Sequence, residues 1–201
     1  LGLALVGPAQ AQAPVEGTHF VKLSQRAPVS LPGPDKKIEV VEFFWYNCPH
    51  CNSFEPALEA WVKSLPKDVS FKRVPVAFRD DFSPQQRLYY TLEAMNKVDE
   101  LHAKVFRAVH GERQALNTDE AIIAWAEKQG LDKAKFTETF RSFSVASKLR
   151  RAVQLQDAYK VEGVPALGIA GRYYTDGSLA GSMERALLVT DYLLAEVRKA
   201  R

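Results

Sequence analysis

An apolar run that ends just before two cysteines constrains the fold of this chain more than any other feature. The run covers residues 38–46, is rich in β-branched and aromatic side chains, and is interrupted only by Glu39 and Glu42. Such a run predicts a strand that is buried on both faces. The chain must therefore bury this strand inside a sheet, with Cys48 and Cys51 immediately beyond its end.

The pattern after the cysteines predicts a β-α-β unit. Helical periodicity runs through residues 49–64, and a further strand is predicted at residues 71–78. Pro75 in that strand indicates an irregularity or a sheet edge, because proline lacks the N–H that a ladder requires. An earlier strand is predicted around Val21 and Leu23. The cysteines are thus expected where a strand meets a helix.

A helical block and a second group of strands follow. The helical pieces are predicted at residues 84–96, 98–110, 118–129, 133–140 and 144–160. Two strands at residues 164–170 and 172–175 meet at Ala170-Gly171, which predicts a hairpin. Ser182 is placed to cap a last amphipathic helix. The order of elements is therefore β-α-β, a helical block, and β-β-α.

The N-terminus has the composition of an export signal. Residues 1–13 are typical of the end of an apolar signal region followed by small residues at cleavage positions. Cleavage is expected after Ala11, because cleavage after Ala13 would leave Pro14 just past the cut. The alternative is an alanine- and glutamine-rich tail on a cytosolic protein. We expect an exported protein.

Charge and cysteine content narrow the function further. The 201 residues carry a net charge of +3, with acidic and basic side chains interspersed. Nucleic-acid binding requires basic residues concentrated on one face, so it is not predicted. Cys48 and Cys51 are the only cysteines, and the small loop between them would stabilise little if bridged. A redox role is favoured over a structural one.

The motif Cys48-Pro49-His50-Cys51 explains how such a pair could react. Cys48 lies at the predicted helix start, and Pro49 suits the first turn because its missing N–H is not needed there. The helix N-terminus, together with a protonated His50, would stabilise a thiolate on Cys48. A stabilised thiolate favours the reduced enzyme, so the disulfide should be readily donated. Cys51, predicted to be more buried, would resolve the mixed disulfide.

The residues from Glu42 to Cys51, together with Gly163-Val164-Pro165 after the helical block, resemble the DsbA family of periplasmic thiol:disulfide interchange proteins. The resemblance implies an α/β protein with a thioredoxin fold and an inserted all-helical domain. It implies a periplasmic enzyme that oxidises reduced exported proteins and is reoxidised by a membrane quinone reductase of the DsbB type. The Cys48–Cys51 disulfide would be its only redox group, with no further cofactor.

The resemblance also implies a domain organisation. Residues 1–13 would be a signal-peptide remnant. Residues 14–82 would form the first part of the thioredoxin-like domain and carry the cysteines. Residues 83–160 would be the helical insertion, and residues 161–201 would complete the thioredoxin-like domain. A separate dimerisation domain is not visible, so we expect a monomer.

Two further sites follow from the resemblance. Pro165 matches the cis-proline beside the disulfide of this family, and Val164 precedes it; both would help hold an extended substrate strand. Glu42 matches a buried acid that relays the proton of Cys51. Without the resemblance, an acid in so apolar a strand needs a partner or a function, or else faces solvent at the strand end.

Several assignments stay open or are not favoured. Either Lys72 or Arg73 on the neighbouring strand could pair with Glu42, and Asn47 is assigned no role. A metal site is not predicted, because the histidines have no ligand spacing relative to the cysteines. A structural role is expected for His102 and His110. The rival functions are a disulfide isomerase or reductant and a non-catalytic binding or chaperone module.

Overall fold

The computed structural model describes residues 12–29 and 37–201. Most of the predicted signal remnant therefore lies outside the described residues. Within the described part, no helix is both long enough and apolar enough to cross a bilayer.

Among the described residues, five strands form one mixed sheet in the order β1-β5-β4-β2-β3. The strands are β1 Val21–Lys22, β2 Ile38–Phe44, β3 Val69–Pro75, β4 Ala166–Ile169 and β5 Tyr173–Asp176. Strand β2 is buried along its whole length, pairs in parallel with β3 and runs antiparallel to β4. Strand β3 is an edge strand, as Pro75 indicated, but it covers residues 69–75 and not the predicted 71–78.

Helices cover both faces of this sheet. In the described part of the chain they are α1 Pro49–Lys63, α2 Ser83–Ala94, α3 Val98–Phe106, α4 Asp119–Lys128, α5 Lys133–Phe140, α6 Phe143–Ala158, α7 Gly177–Ala180 and α8 Met183–Lys199. Helix α8 begins at the predicted cap, where the Ser182 hydroxyl accepts from the N–H of Arg185 at 3.1 Å. Helix α7 was not predicted, because four residues are too few to show periodicity.

Helix α3 differs from its prediction at its C-terminal end. The α-helix stops at Phe106, and the chain continues as a π-helical turn over Arg107–Gly111. Wide turns of this kind are frequent at functional sites. Here the turn carries His110, whose Nε2 lies 2.7 Å from the backbone oxygen of Tyr46, between β2 and the cysteines.

Two hydrophobic clusters hold the layers together. One lies between the sheet and helices α1 and α8, and includes Val40, Leu58 and Leu193. The other joins the sheet to helices α2–α6, which follow β3 and precede β4. This arrangement confirms the predicted α/β fold with a helical insertion. The division of the chain into separate domains at residues 82 and 160 stays a prediction.

The hairpin of β4 and β5 has a close approach that only glycine permits. The turn has positive φ at Ala170 (56°) and Gly171 (66°), and the N–H of Gly171 donates to the Tyr159 hydroxyl at 2.9 Å. The Tyr159 ring lies against the backbone of β4, so that a Cβ on Gly168 would stand 2.5 Å from a ring carbon. Gly168 thus leaves room for the ring of Tyr159.

We expect Gly168→Ala to lower the free energy of unfolding by about 1–3 kcal/mol, the usual cost of overpacking a core. Gly163→Ala is the matched control, because a Cβ there meets no atom within 4 Å. Urea unfolding of both variants in the same buffer measures the difference. Equal stabilities for the two variants would contradict this account of the hairpin.

Candidate active site

Helix α1 begins at the cysteine pair. Cys48 is the N-cap residue, with extended backbone angles (φ −78°, ψ 117°), and Pro49 occupies the first turn. The Cys48 N–H donates to the Trp45 oxygen at 3.0 Å, which turns the chain from β2 into the helix. Cys48 is 8% exposed and Cys51 is fully buried, in the predicted order. Both are free thiols, so the structure describes the dithiol form.

The environment of Cys48 stabilises its thiolate. Its pKa falls from an ordinary 9.0 to about 6, chiefly because the Cys51 side chain hydrogen-bonds to its sulfur. Burial opposes this shift, whereas backbone N–H groups of Cys51 and His50 and the charge of His50 support it. The sequence had pointed to the helix N-terminus and to His50. It had not pointed to Cys51 as the largest contributor.

Cys51 has the opposite environment. Burial raises the pKa of its thiol far above the ordinary value, and its hydrogen bond to Cys48 and the charges of Cys48 and Glu42 act in the same direction. At neutral pH the reduced pair therefore consists of a thiolate at Cys48, which is slightly exposed, and a neutral thiol at Cys51, which is fully buried. The two sulfurs are chemically different although they lie one helical turn apart.

Val164 and Pro165 lie beside Cys48. The Cys48 Sγ lies 3.5 Å from the Val164 backbone oxygen, and the Val164–Pro165 peptide bond is cis. Pro165 is buried and Val164 is partly exposed. The structure thus brings together the motif and the second segment that the resemblance had singled out.

Glu42 lies fully buried in β2, so the solvent-facing alternative is wrong. Its partner is Arg73, directly opposite in the β2–β3 register, with Arg73 Nε 3.2 Å from Glu42 Oε2. Lys72 instead pairs with Glu39, at 3.6 Å. Burial, followed by repulsion from Glu55, raises the pKa of Glu42 to about 8 despite the opposing charge of Arg73.

Glu55 and His102 belong to the same buried group, although the sequence did not indicate either of them. Arg73 Nη2 donates to Glu55 Oε2 at 2.9 Å, and His102 Nε2 lies 3.3 Å from Glu55 Oε1. The other ring nitrogen of His102 lies 2.8 Å from the Tyr46 hydroxyl. Glu55 follows Cys51 by four residues, and that spacing was the available signal, since i and i+4 share a helix face.

A second polar group fixes the residue before Cys48. The Asn47 amide donates to Asn117 Oδ1 at 2.7 Å, and buried Gln85 donates to Asn47 Oδ1 at 2.8 Å. Gln85 lies on α2, and Asn117 lies just before α4. Asn47, to which the sequence pattern assigns no role, therefore ties the active-site loop to the inserted helices.

The described part of the chain holds no cluster of side chains suited to a metal ion. Its His, Cys, Asp and Glu side chains form no group of three that could hold a metal ion. A groove of about 790 Å³ lies between β3 and helices α2 and α6, with Tyr89, Arg73 and Lys148 among the residues of its wall. Neither cysteine is among the described residues that line it.

A dithiol at a helix N-terminus, beside a central strand and a Val-Pro segment, defines a thiol–disulfide oxidoreductase with a thioredoxin fold. A sequence model of the DSBA-like thioredoxin domain matches residues 70–188. The chain belongs to the DsbA family.

Individual relatives agree with this assignment. The chain is 46% identical to the thiol:disulfide interchange protein DsbA of Bordetella parapertussis, over 90% of this chain and 85% of that protein. It is 40% identical to the DsbA of Burkholderia cepacia, over 98% and 91% of the two chains. The crystal structure of Pseudomonas aeruginosa DsbA superposes with a TM-score of 0.86 at 40% identity, covering 92% of this chain and 94% of that one.

The low pKa of Cys48 predicts how the reduced protein reacts with an alkylating agent. The alkylation rate should rise with pH around a midpoint near 6, because only the thiolate reacts. Cys51→Ala should raise this midpoint, since it removes the main hydrogen bond to the Cys48 sulfur. Stopped-flow alkylation across a pH series measures both values.

Cys48→Ala is the control for this measurement. Its remaining thiol, Cys51, should stay unreactive at neutral pH because its pKa is raised by burial. A wild-type midpoint close to the ordinary thiol value of 9.0 would contradict the electrostatics described above.

Proposed function

We propose that this enzyme donates its Cys48–Cys51 disulfide to reduced cysteines of exported proteins. The observation that carries the proposal is the contrast between the two sulfurs, a stabilised thiolate at Cys48 and a buried thiol at Cys51. Stabilising the reduced form in this way makes the disulfide a stronger oxidant. The names of the relatives, thiol:disulfide interchange proteins, support thiol–disulfide exchange as the chemistry.

The exchange takes place in two displacement steps. A substrate thiolate attacks the Cys48 sulfur, the Cys48–Cys51 bond breaks, and Cys51 leaves as a thiolate that takes up a proton. A second substrate thiolate then attacks the substrate sulfur of the mixed disulfide and releases Cys48 as a thiolate. The substrate loses two electrons, which the cysteine pair gains. Cys48 is the better leaving group because its pKa is about 6.

Glu42 is the proposed source of the proton for Cys51. Its pKa of about 8 leaves it protonated at neutral pH, and its charge when ionised acts on the Cys51 thiol. In the reverse direction, when Cys51 must attack a mixed disulfide on Cys48, the Glu42 carboxylate would accept the Cys51 proton. His50 and Pro49 act on the other sulfur, through the charge and the helix start beside Cys48.

Val164 and Pro165 are the proposed substrate-facing residues. The Val164 carbonyl lies against the Cys48 sulfur, so an extended peptide placed along this segment would present its cysteine to Cys48. Main-chain pairing of this kind gives affinity without demanding one sequence. It would suit an enzyme that accepts many unfolded exported proteins.

The wider setting of the enzyme follows from the same proposal. We infer a periplasmic monomer that is made with a signal peptide, has its helical insertion at residues 83–160, and needs no cofactor besides its own disulfide. A DsbB-type membrane quinone reductase would accept the two electrons from the reduced pair and restore the disulfide. Titration of the reduced protein with such a partner would test that step directly.

The equilibrium of the Cys48–Cys51 pair with glutathione tests the proposed direction of exchange. We expect the enzyme disulfide to be reduced by glutathione mixtures that leave an ordinary structural disulfide intact, because the reduced form is stabilised. The redox state is read by quenched alkylation and mass, with Cys51→Ala as the variant that cannot bridge. A potential near that of thioredoxin would instead indicate a reductant.

A further inference from the structure

Four polar side chains link the inserted helices to Glu42 inside the core. Tyr46, His102, Glu55 and Arg73 form a continuous series of contacts with spacings of 2.8, 3.3 and 2.9 Å. Arg73 then reaches Glu42 at 3.2 Å. His102, on α3, is 4% exposed.

One arrangement of protons satisfies the whole series. The Tyr46 hydroxyl donates to His102 Nδ1, and His102 Nε2–H donates to the Glu55 carboxylate. This requires a neutral imidazole, which agrees with the lowered pKa that burial gives His102. It also requires an ionised Glu55, whose pKa is lowered because the His102 hydrogen bond and the Arg73 charge outweigh burial.

The proposed exchange uses Glu42 but leaves the histidine without a task. An imidazole in an apolar core is costly unless both nitrogens are paired. The rings of Phe44, Tyr46 and Phe106 surround His102, and the centroid of each lies 5.2 Å from the centroid of the imidazole ring. A phenylalanine would fill the same space among these aromatic rings without a polar requirement.

The two carboxylates compete for one guanidinium. Glu55 receives an aligned hydrogen bond from Arg73 and a second donor from His102. Glu42 has only the 3.2 Å approach of Arg73 Nε, which lacks hydrogen-bond alignment. When two buried acids share one positive charge, the less well solvated acid keeps its proton. The donor from His102 therefore adds to the deeper burial of Glu42 in making Glu42, and not Glu55, the protonated acid.

We propose that His102 is a positioning residue for disulfide exchange, which holds Glu55 as the ionised partner of Arg73 and so keeps on Glu42 the proton that Cys51 receives. This inference rests on the proposed function of Glu42. A residue of the inserted helices would thus take part in proton transfer at the active site, although it does not contact either sulfur.

Other titratable groups face these residues and belong to the same balance. Those facing His102 are Glu55 and Glu59 on α1, Arg73 on β3, Tyr89 on α2, and Tyr46 just after β2. Those facing Glu42 are Glu55, Arg73, Cys48, Cys51, Tyr46 and Tyr89. Tyr46 and Tyr89 have pKa values raised by burial, so they remain neutral across the range used below.

The test compares His102→Phe with His102→Gln in the full chain. Phenylalanine keeps the ring packing but removes both hydrogen bonds, whereas glutamine can donate to Glu55 and accept from Tyr46. Infrared difference spectra across a pH series report the Glu42 carboxyl, assigned by its loss in Glu42→Gln. We expect His102→Phe to lower the pKa of Glu42 by about one unit, a tenfold weaker hold on the proton. His102→Gln should restore most of it.

The rate of peptide oxidation supplies the second readout. With the disulfide form of the enzyme in single turnover, the wild-type rate should lose its Glu42-dependent component as pH rises through about 8. The same loss should occur at lower pH in His102→Phe. A Glu42 titration and rate profile unchanged in His102→Phe, or shifted equally by phenylalanine and glutamine, would overturn the positioning role.

Two controls separate this inference from the proposed function. If Glu42→Gln leaves the rate profile unchanged, the proton role of Glu42 itself fails. If Glu42→Gln changes the profile but His102→Phe does not, only the role of His102 fails. Should His102→Phe not fold, Tyr46→Phe removes the outer hydroxyl alone; it should shift the Glu42 titration in the same direction by less, and no shift would overturn the inference.

Discussion

One guanidinium shared between two buried carboxylates is the constraint around which this site is built. Arg73 can compensate Glu55 or Glu42 but not both, because charges taken out of water need close and aligned partners. The hydrogen bond from His102 further stabilises the ionised form of Glu55. Glu42 is consequently a buried acid that keeps its proton at neutral pH, because its pKa is raised to about 8. A second cation at Glu42 would remove that property.

The asymmetry of the cysteines depends on the position of the pair as much as on its residue types. Strand β2 ends at Phe44, and helix α1 begins only after Cys48, so that the first sulfur meets free backbone N–H groups. Cys51 lies one turn further, inside the core. The same two residues in the middle of a helix would have similar environments and would lack the division into leaving group and buried thiol.

The sequence pattern predicted those elements that are determined by residues close together in the chain. The buried run gave β2, Pro49 gave the start of α1, and Pro75 gave the edge of the sheet. The choice between Lys72 and Arg73 required the register of β2 and β3, which periodicity cannot supply. His102 looked like an ordinary core histidine, because its partners Tyr46 and Glu55 lie far away in the sequence and meet it only through packing.

The inserted helices do more than shield the active site from solvent, because their residues also hydrogen-bond to the segment that precedes Cys48. Gln85 on α2 holds Asn47 next to Cys48, and the π-helical turn after α3 brings His110 to the backbone oxygen of Tyr46. Together with His102, which contacts the Tyr46 hydroxyl, they hold the segment between β2 and α1. The insertion therefore determines the geometry from which the thioredoxin-like part performs its chemistry.

The two shifted groups also give the reduced protein a balanced response to pH. Cys48, whose pKa is depressed from 9.0 to about 6, contributes stability that is lost as pH falls through about 6. Glu42, whose pKa is raised from 4.5 to about 8, contributes stability that is lost as pH rises through about 8. Between these values folding releases a proton at Cys48 and takes one up at Glu42, so the two slopes cancel. The disulfide form lacks the Cys48 thiolate, so of these two groups only Glu42 affects its stability. Raising the pH across this window therefore favours the reduced fold relative to the disulfide form, which is the direction that disulfide donation requires.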